Sequence, residues 1–418
     1  MTLRGYLVYM RILWLKSDFV LPPDTGGKIR SYNIIKQLAQ IDEVIYLSFV
    51  DQYHTSEHKR DMETCVQKVI SVFKKSEKKY NFGFYLRLFT RLFSPLPYII
   101  YKYRSSEIKK IIDDLWKKQQ FDILLCDFLE MSINLKERTP FPKILFQHNV
   151  ESTIWERFHH TEKNWLKKLY FSYEKKRMRN YEALACQKFD KVLAVSEADK
   201  VKMEQEFGVD NIVVLPTGVD TEYFAPREVE KKPYNLVFTG SMDWLPNQDA
   251  MHYFCEEIYP LIKKDIPQIN LCIVGRNPSE AILKLSENDK TVEVTGTVED
   301  VRPYMAKSEI YIVPLRIGGG TRIKIFEAMS MGLPVIATSI GAEGLDVTPD
   351  QNIIIKDSPG DFAKSIVELL EDKNKRRRIA EEGRKLVNCE HDWKKVAEKL
   401  SQVCREVIIS YENERSVR

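Results

Sequence analysis

Residues 314–329 read PLRIGGGTRIKIFEAM, and their types and spacing suit the binding of a diphosphate. Gly318, Gly319 and Gly320 lead into Thr321, a residue type that caps helix N-termini, and an apolar pattern at helical spacing follows. The first N–H groups of such a helix have no partner within it, so with the helix dipole they put positive potential at one spot. Arg322 and Lys324 add two cations to that first turn, where the dipole disfavours them. A bound diphosphate would resolve the conflict. Lys324 and Glu327 lie three apart on one helix face and are expected to serve adjacent parts of one ligand. The same pair also fits a surface ion pair of little energetic weight.

A second glycine segment, PPDTGGKIR at 22–30, follows an apolar run and opens a helical pattern through Tyr32, Ile35, Leu38 and Ala39. Gly26 and Gly27 would let backbone N–H groups approach an anion with no Cβ in the way, although paired glycines suit an ordinary turn equally well. His148, in FQHNVE, also follows an apolar run, and is the candidate catalytic residue; a lone histidine there equally fits a structural role. His159 and His160 have no further metal ligands near them in sequence and read as surface. The chain contains neither GxGxxG nor GxxxxGK[ST], which disfavours nicotinamide and P-loop chemistry. It has no Asp-x-Asp pair to hold a divalent metal against a diphosphate, so no metal and no cofactor are expected. Protein cations and N–H groups would then have to neutralise the leaving group.

These residues need elements to carry them, and short apolar runs alternating with helical patterns predict βαβ units and parallel sheets. One series of buried strands is expected at 11–15, 43–49, 122–126, 143–147, 191–195 and 212–215. A second is expected at 235–239, 270–274, 310–313, 334–337 and 352–355. A polar stretch with Pro216, Pro226 and Pro233 separates them. The predicted fold class is α/β with two Rossmann-like domains, residues 1–215 and 216–390. Residues 391–418 end in an apolar stripe, Trp393, Val396, Ala397, Leu400, Val403, Cys404 and Val407. By adjacency this helix would pack on the second domain.

The 418 residues suffice for two cores, and a formal net charge of +4 does not suggest nucleic acid. Seven scattered cysteines with no CxxC pair read as thiols in a reducing compartment. Arg11, Lys16 and Asp18 break the apolar N-terminal stretch, no small-residue cleavage site follows, and a cytoplasmic location is expected. Residues 59–118 are locally basic, with 15 Lys/Arg against 6 Asp/Glu, and hold many aromatics including Phe82, Phe84, Phe89, Phe93, Tyr98, Tyr101 and Tyr103. This composition fits peripheral contact with an anionic membrane or a lipid-linked acceptor; it also fits ordinary helices with solvated lysines.

The segment GGGTRIKIFEAMSMGLPVIATSIGAEG, residues 318–344, resembles the donor-binding segment of retaining glycosyltransferases of the GT-B fold, the group 1 transferases of family 4. DTGGKIR, FQHNVES, VLAVSEAD, LPTGVDTEYF, TGSMDWLPN and IVGR match in the same order, and the combination is most similar to bacterial polysaccharide or exopolysaccharide transferases. The resemblance implies two parallel sheets facing across a cleft, with an acceptor-binding first domain and a nucleotide-sugar-binding second domain. It implies transfer of a sugar, with retention, from a nucleotide-sugar to a glycan or lipid-linked acceptor hydroxyl. A sugar-nucleotide epimerase of the same fold, or an inactive scaffold, would share the pattern.

By the same resemblance Glu327 corresponds to the ribose-binding Glu, Gly26 and Gly27 to the loop beside the phosphates and sugar, and His148 to the histidine beside the transferred sugar. The family's other glutamate falls at Gly319, where this chain has none. The basic pair that often follows the first strand of the second domain is replaced by Gly240-Ser241-Met242-Asp243-Trp244. Diphosphate binding is therefore assigned to Arg322 and Lys324, with Ser241 as a hydrogen-bond donor. Gly319, Gly320, Thr321 and Arg276, which closes IVGR, complete the donor-binding set. The resemblance also implies that the C-terminal helix crosses back onto the first domain.

Overall fold

The computed structural model describes residues 9–75, 94–162, 164–317 and 322–417. Two compact units divide between Pro216 and Thr217: residues 1–216 with 396–418, and residues 217–395.

The first unit is built on a seven-stranded sheet: β1 Arg11–Lys16, β2 Glu43–Val50, β3 Lys68–Phe73, β4 Ile123–Asp127, β5 Lys143–Phe146, β6 Lys191–Ala194 and β7 Ile212–Val214. Their order is β3-β2-β1-β4-β5-β6-β7, and every pairing is parallel. The central runs are near-continuous Ile, Leu and Val because helices cover both faces. The second unit has six parallel strands: β8 Asn235–Thr239, β9 Asn270–Val274, β10 Val292–Val294, β11 Ile310–Val313, β12 Val335–Ala337 and β13 Ile354–Ile355. Their order is β10-β9-β8-β11-β12-β13. In both sheets the order reverses between the first strand and the fourth, and the crevice beyond the carboxyl ends of those two strands is where such sheets bind ligands.

The C-terminal helix, Trp393–Val417, starts in the second unit. There Trp393 packs so closely under Gly218 that a β-carbon would lie 2.5 Å from its ring. From Val396 onward the helix belongs to the first unit, not to the second as adjacency alone suggests. Ser401 and Arg405 bond to the buried Asp42, whose other bond accepts from the Met10 amide, and Tyr411 donates to the Thr139 carbonyl. The apolar stripe is thus fixed by polar contacts at defined points along its length.

Candidate functional site

In the second unit, the switch between β8 and β11 gathers the glycine after β8 and the helix Ile323–Ser330 after β11. That helix is capped by Arg322, buried at 4% exposure, and not by Thr321. The cap moves by one residue because Arg322 carries the non-helical dihedrals, φ −87° and ψ 72°, and makes no side-chain capping bond. Gly318, Gly319, Gly320 and Thr321 lie outside the described residues.

Lys324 turns its ammonium toward the end of β8. Its Nζ donates to Asn247 Oδ1 at 3.1 Å and sits 4.3 Å from the centre of the Phe238 ring. Burial pulls its pKa down to about 7, against the opposing pull of Glu327, with Arg322 adding to the depression. Burial likewise pushes Glu327 up to about 7, Lys324 working against it. Lys324 and Glu327 form no ion pair within 4 Å, so the surface-pair reading of this motif does not hold. A desolvated cation and a desolvated carboxyl stand one helical turn apart without a direct ion pair, an arrangement able to meet a ligand that offers a negative group and hydroxyls together.

Ser241 and Arg276 meet at the same edge. Arg276 Nε donates to Ser241 Oγ at 2.8 Å, and Ser241 in turn donates to Asp243 Oδ1 at 2.6 Å. The Ser241 hydroxyl proton expected to serve a diphosphate is therefore held by Asp243 in this structure. Asn277 also donates to Asp243, and this bond, followed by that of Ser241, holds the carboxyl below its usual range. Asn247 Nδ2 donates to the Ser241 carbonyl at 2.8 Å, so Asn247 joins Lys324 to the Ser241–Arg276 pair. Asn247, Asp243 and Asn277 escaped the sequence reading. Asn247 lies in the first turn of the helix Leu245–Tyr253, and its place near a helix start in TGSMDWLPN is the signal the sequence offers.

The first unit places its charges at the equivalent switch, between β1 and β4. Lys16 closes β1, Asp127 closes β4, and the strand register makes them direct neighbours. Lys16 Nζ lies 3.1 Å from Asp127 Oδ2, with both side chains buried, and Trp14 Nε1 donates to the same oxygen at 3.0 Å. His148, after β5, lies 2.6 Å from Asp127 Oδ1 through Nε2 and 3.2 Å from Arg30 Nη1 through Nδ1. A guanidinium can only donate, so Nδ1 accepts and Nε2–H donates to the carboxylate. Burial lowers the His148 pKa to about 4, outweighing Asp127, and the ring is neutral at pH 7. Burial alone would raise Asp127, but Lys16 and then His148 hold it well below the usual carboxylate range. Arg30, in the helix Gly26–Leu38, is lowered by burial to about 10.

This arrangement fits the structural alternative for His148. Its side chain is 2% exposed, both ring nitrogens have partners within the protein, and Phe128 stacks on it at 3.9 Å between centroids. These contacts fix the orientation of the ring. Phe128 has φ +76°, and a β-carbon on Gly27 would lie 2.7 Å from its ring, so the Gly26–Gly27 helix start packs directly on this network. Gly26 opens the same helix with no atom crowding it, and Thr25 at the cap makes no side-chain bond. Lys16, Arg30, Asp127 and Phe128 were not singled out from sequence, although a lysine and an aspartate each ending an apolar strand run were visible there.

Of the basic-aromatic stretch, residues 76–93 lie outside the described residues. Around it, Lys74 covers the rings of Phe49 and Tyr103, and Tyr98, Tyr101 and Tyr103 are half-buried. Those tyrosines do not form an exposed patch. No helix among the described residues is long and apolar enough to cross a membrane, and no group of three His, Cys, Asp or Glu among them could hold a metal ion.

Two parallel sheets of this order, each with a charged site at its switch, define a GT-B architecture. Residues 49–223 match the family model described as Glycosyltransferase Family 4, and residues 233–372 match that of Glycosyl transferases group 1. The chain belongs to this glycosyltransferase family. It is 24% identical to an uncharacterised protein of the cps region of Klebsiella pneumoniae, over 66% of this chain and 73% of that one. It is 28% identical to a GDP-mannose-dependent mannosyltransferase of Corynebacterium glutamicum that acts on a monoacylated phosphatidylinositol monomannoside, over 45% of this chain and 55% of that one. Its fold is that of Anabaena HepE, solved with UDP-glucose, at a TM-score of 0.62 and 14% identity over 95% of this chain and all of that one. The match spans between about half and three quarters of these curated relatives' lengths.

Proposed function

We propose that this glycosyltransferase moves a sugar from a nucleotide-sugar to an acceptor hydroxyl with retention of configuration, in the assembly of a cell-surface polysaccharide or glycan. The observation that carries the reading is Lys324, a desolvated ammonium at the switch of the second sheet with Glu327 one turn behind it. On this reading Lys324 and Arg322 neutralise the donor diphosphate, and Glu327 accepts hydrogen bonds from the ribose hydroxyls. The donors of the two ligand-named relatives, a GDP-sugar and a UDP-sugar, fit the same chemistry. No metal is required, because two protein cations and the free N–H groups of a helix start can stabilise the leaving diphosphate. A retaining reaction needs no protein nucleophile if the leaving phosphate assists the incoming hydroxyl.

The acceptor, on this reading, is a glycan or lipid-linked sugar met at an anionic membrane face. Support comes from the paired helices Glu151–Thr161 and Trp165–Lys188, where Phe158, Trp165, Leu166 and Leu169 are each at least half exposed beside exposed Lys167 and Lys168. Apolar rings and lysines together suit a headgroup boundary.

A panel of UDP- and GDP-sugars tests the central reading, with binding followed calorimetrically and product anomers by NMR. Transfer with a retained anomer from one donor supports it. Interconversion of the free donor would make the chain an epimerase, and no binding of any nucleotide-sugar would remove the reading.

A further inference from the structure

The second unit carries another concentration of positive charge, at the opposite edge of its sheet from Lys324. Lys231, Glu309 and Pro334 line a cavity of about 400 Å³; Glu309 and Pro334 immediately precede β11 and β12, and Lys231 lies four residues before β8. Gly240 and Pro314 follow the ends of β8 and β11, so the cavity lies at the amino edge, where these sheets do not bind their principal ligand. One wall is a single face of the helix Lys373–Glu390, with Lys373, Arg376, Ala380 and Arg384 at helical spacing.

Charge accounting shows what this cavity is built for. Arg376 is fixed as its floor, 2.9 Å from Glu309 and 3.2 Å from the carbonyls of Leu369 and Leu370. Arg227 pairs with Asp300, and Arg377 with Glu381. Among the described residues, Lys231, Lys373 and Arg384 line the cavity with no carboxylate within ion-pair distance, although Glu309 still attracts Lys231 electrostatically. Lys231 Nζ donates to the Ser308 carbonyl, and burial, followed by repulsion from Arg376, lowers its pKa. The wall helix begins KNKRRR, five cations in its first six residues, capped by Asp372. Helix N-termini favour negative charge; Lys375, Arg376 and Arg377 each pair with a glutamate, Glu368, Glu309 and Glu381, whereas Lys373 in the first turn faces the cavity.

We propose that this amino-edge cavity is a second anion site that binds a phosphate-bearing ligand, separate from the donor site at Lys324. The shared chemistry is a phosphate with two or more negative charges, held by Lys231, Lys373 and Arg384 over Arg376. The ligand comes either from free phosphate or diphosphate or from the phosphate headgroup of a lipid. Its position, behind the sheet that carries Lys324, would let it act on the transferase without competing for the donor.

Calorimetry with inorganic pyrophosphate on the full chain tests this, using Lys324→Ala to remove the donor-site contribution. The expected result is that Lys324→Ala still binds pyrophosphate, and that adding Lys373→Ala and Arg384→Ala weakens this binding at least tenfold at an unchanged melting temperature. Lysine at 384 should restore most of it. Pyrophosphate binding abolished by Lys324→Ala alone, or untouched by the two cavity substitutions, would overturn the proposal. Short-chain phosphatidic acid below its micelle concentration separates the sources. Tighter binding than inorganic phosphate assigns the lipid headgroup and weaker binding assigns the free anion, each supporting the site; no cavity-dependent binding of any of the three removes it.

Discussion

The ammonium of Lys324 reaches into space that only a glycine at 240 leaves open: a β-carbon on Gly240 would lie 2.7 Å from Lys324 Nζ and 2.7 Å from Asn247 Nδ2. Both crowded atoms are ends of flexible side chains, so Gly240→Ala is expected to displace them and not to unfold the unit. Nucleoside diphosphate affinity should fall about tenfold, roughly one hydrogen bond to a charged group, with little change in melting temperature. Calorimetry beside thermal denaturation checks it; unchanged affinity would show that Lys324 does not need this position.

Lys324→Ala and Arg322→Ala are each expected to weaken nucleoside diphosphate binding by about 1.5–3 kcal/mol, the range for hydrogen bonds to charged groups. Arg322 is buried, so its variant should also lose stability, whereas Lys324→Ala removes a desolvated cation and should not. Titration with UDP and GDP tests both variants. Full affinity in the pair would end the diphosphate assignment.

The pKa of Lys324, near 7 when free, should rise toward its ordinary value once a diphosphate lies beside it. Binding then takes up a proton above pH 7, and affinity should weaken as pH rises from 7 to 9. Glu327, also near 7, acts with the opposite sign if it must be ionised, strengthening affinity up to about pH 7 and flattening beyond it. Comparing wild type with Lys324→Gln isolates the lysine: the decline above pH 7 should disappear in the variant.

Asp127→Ala removes the single carboxylate that faces both Lys16 and His148, leaving the buried Lys16 with only the half-exposed Asp18 at 3.9 Å. Breaking a buried pair in this way costs about 3–5 kcal/mol, and the double variant Lys16→Met with Asp127→Leu should recover part of that loss. Urea denaturation measures both.

His148 has a folded pKa near 4, below its unfolded value, so the unfolded chain binds the extra proton between about pH 4 and 6.5. Stability should therefore be lost as pH falls through that window. Glu182 and Glu151, raised by burial to about 7 and 8, act oppositely: they favour the folded chain at low pH and withdraw that support as pH rises. The histidine contribution is read from the difference between wild type and His148→Gln. That difference should shrink as pH drops from 7 to 5. A constant difference would mean that the ring is not held neutral.

Turnover is expected to persist in excess EDTA if, as proposed, Arg322 and Lys324 supply the positive charge a leaving diphosphate needs. Loss of transfer in EDTA with recovery on adding magnesium or manganese would contradict this.

Much of the architecture follows from the chain read alone. Runs such as ILWL and VIYLSF are too apolar and too short to be anything but strands covered on both faces. Alternation with helical patterns then makes the sheets parallel. The strands that escape, β3 at 68–73 and β10 at 292–294, are edge strands, which need cover on one face only and carry Lys68, Ser71 and Glu293 within them. The cations at 322 and 324 were legible because they oppose the helix dipole, a conflict visible without coordinates.

Tertiary structure alone decided what those groups touch. Lys16 and Asp127 are 111 residues apart in sequence and become neighbours only through the register of β1 against β4. Asn247 reaches Lys324 only because β8 and β11 are adjacent at the switch, and the sequence contains no term for that adjacency. Burial, which sets the pKa values of His148, Lys324 and Glu327, is a property of everything packed around a residue and not of its neighbours in the chain. Residue type and spacing therefore determined which groups could carry charge, and packing determined which of them are poised to use it.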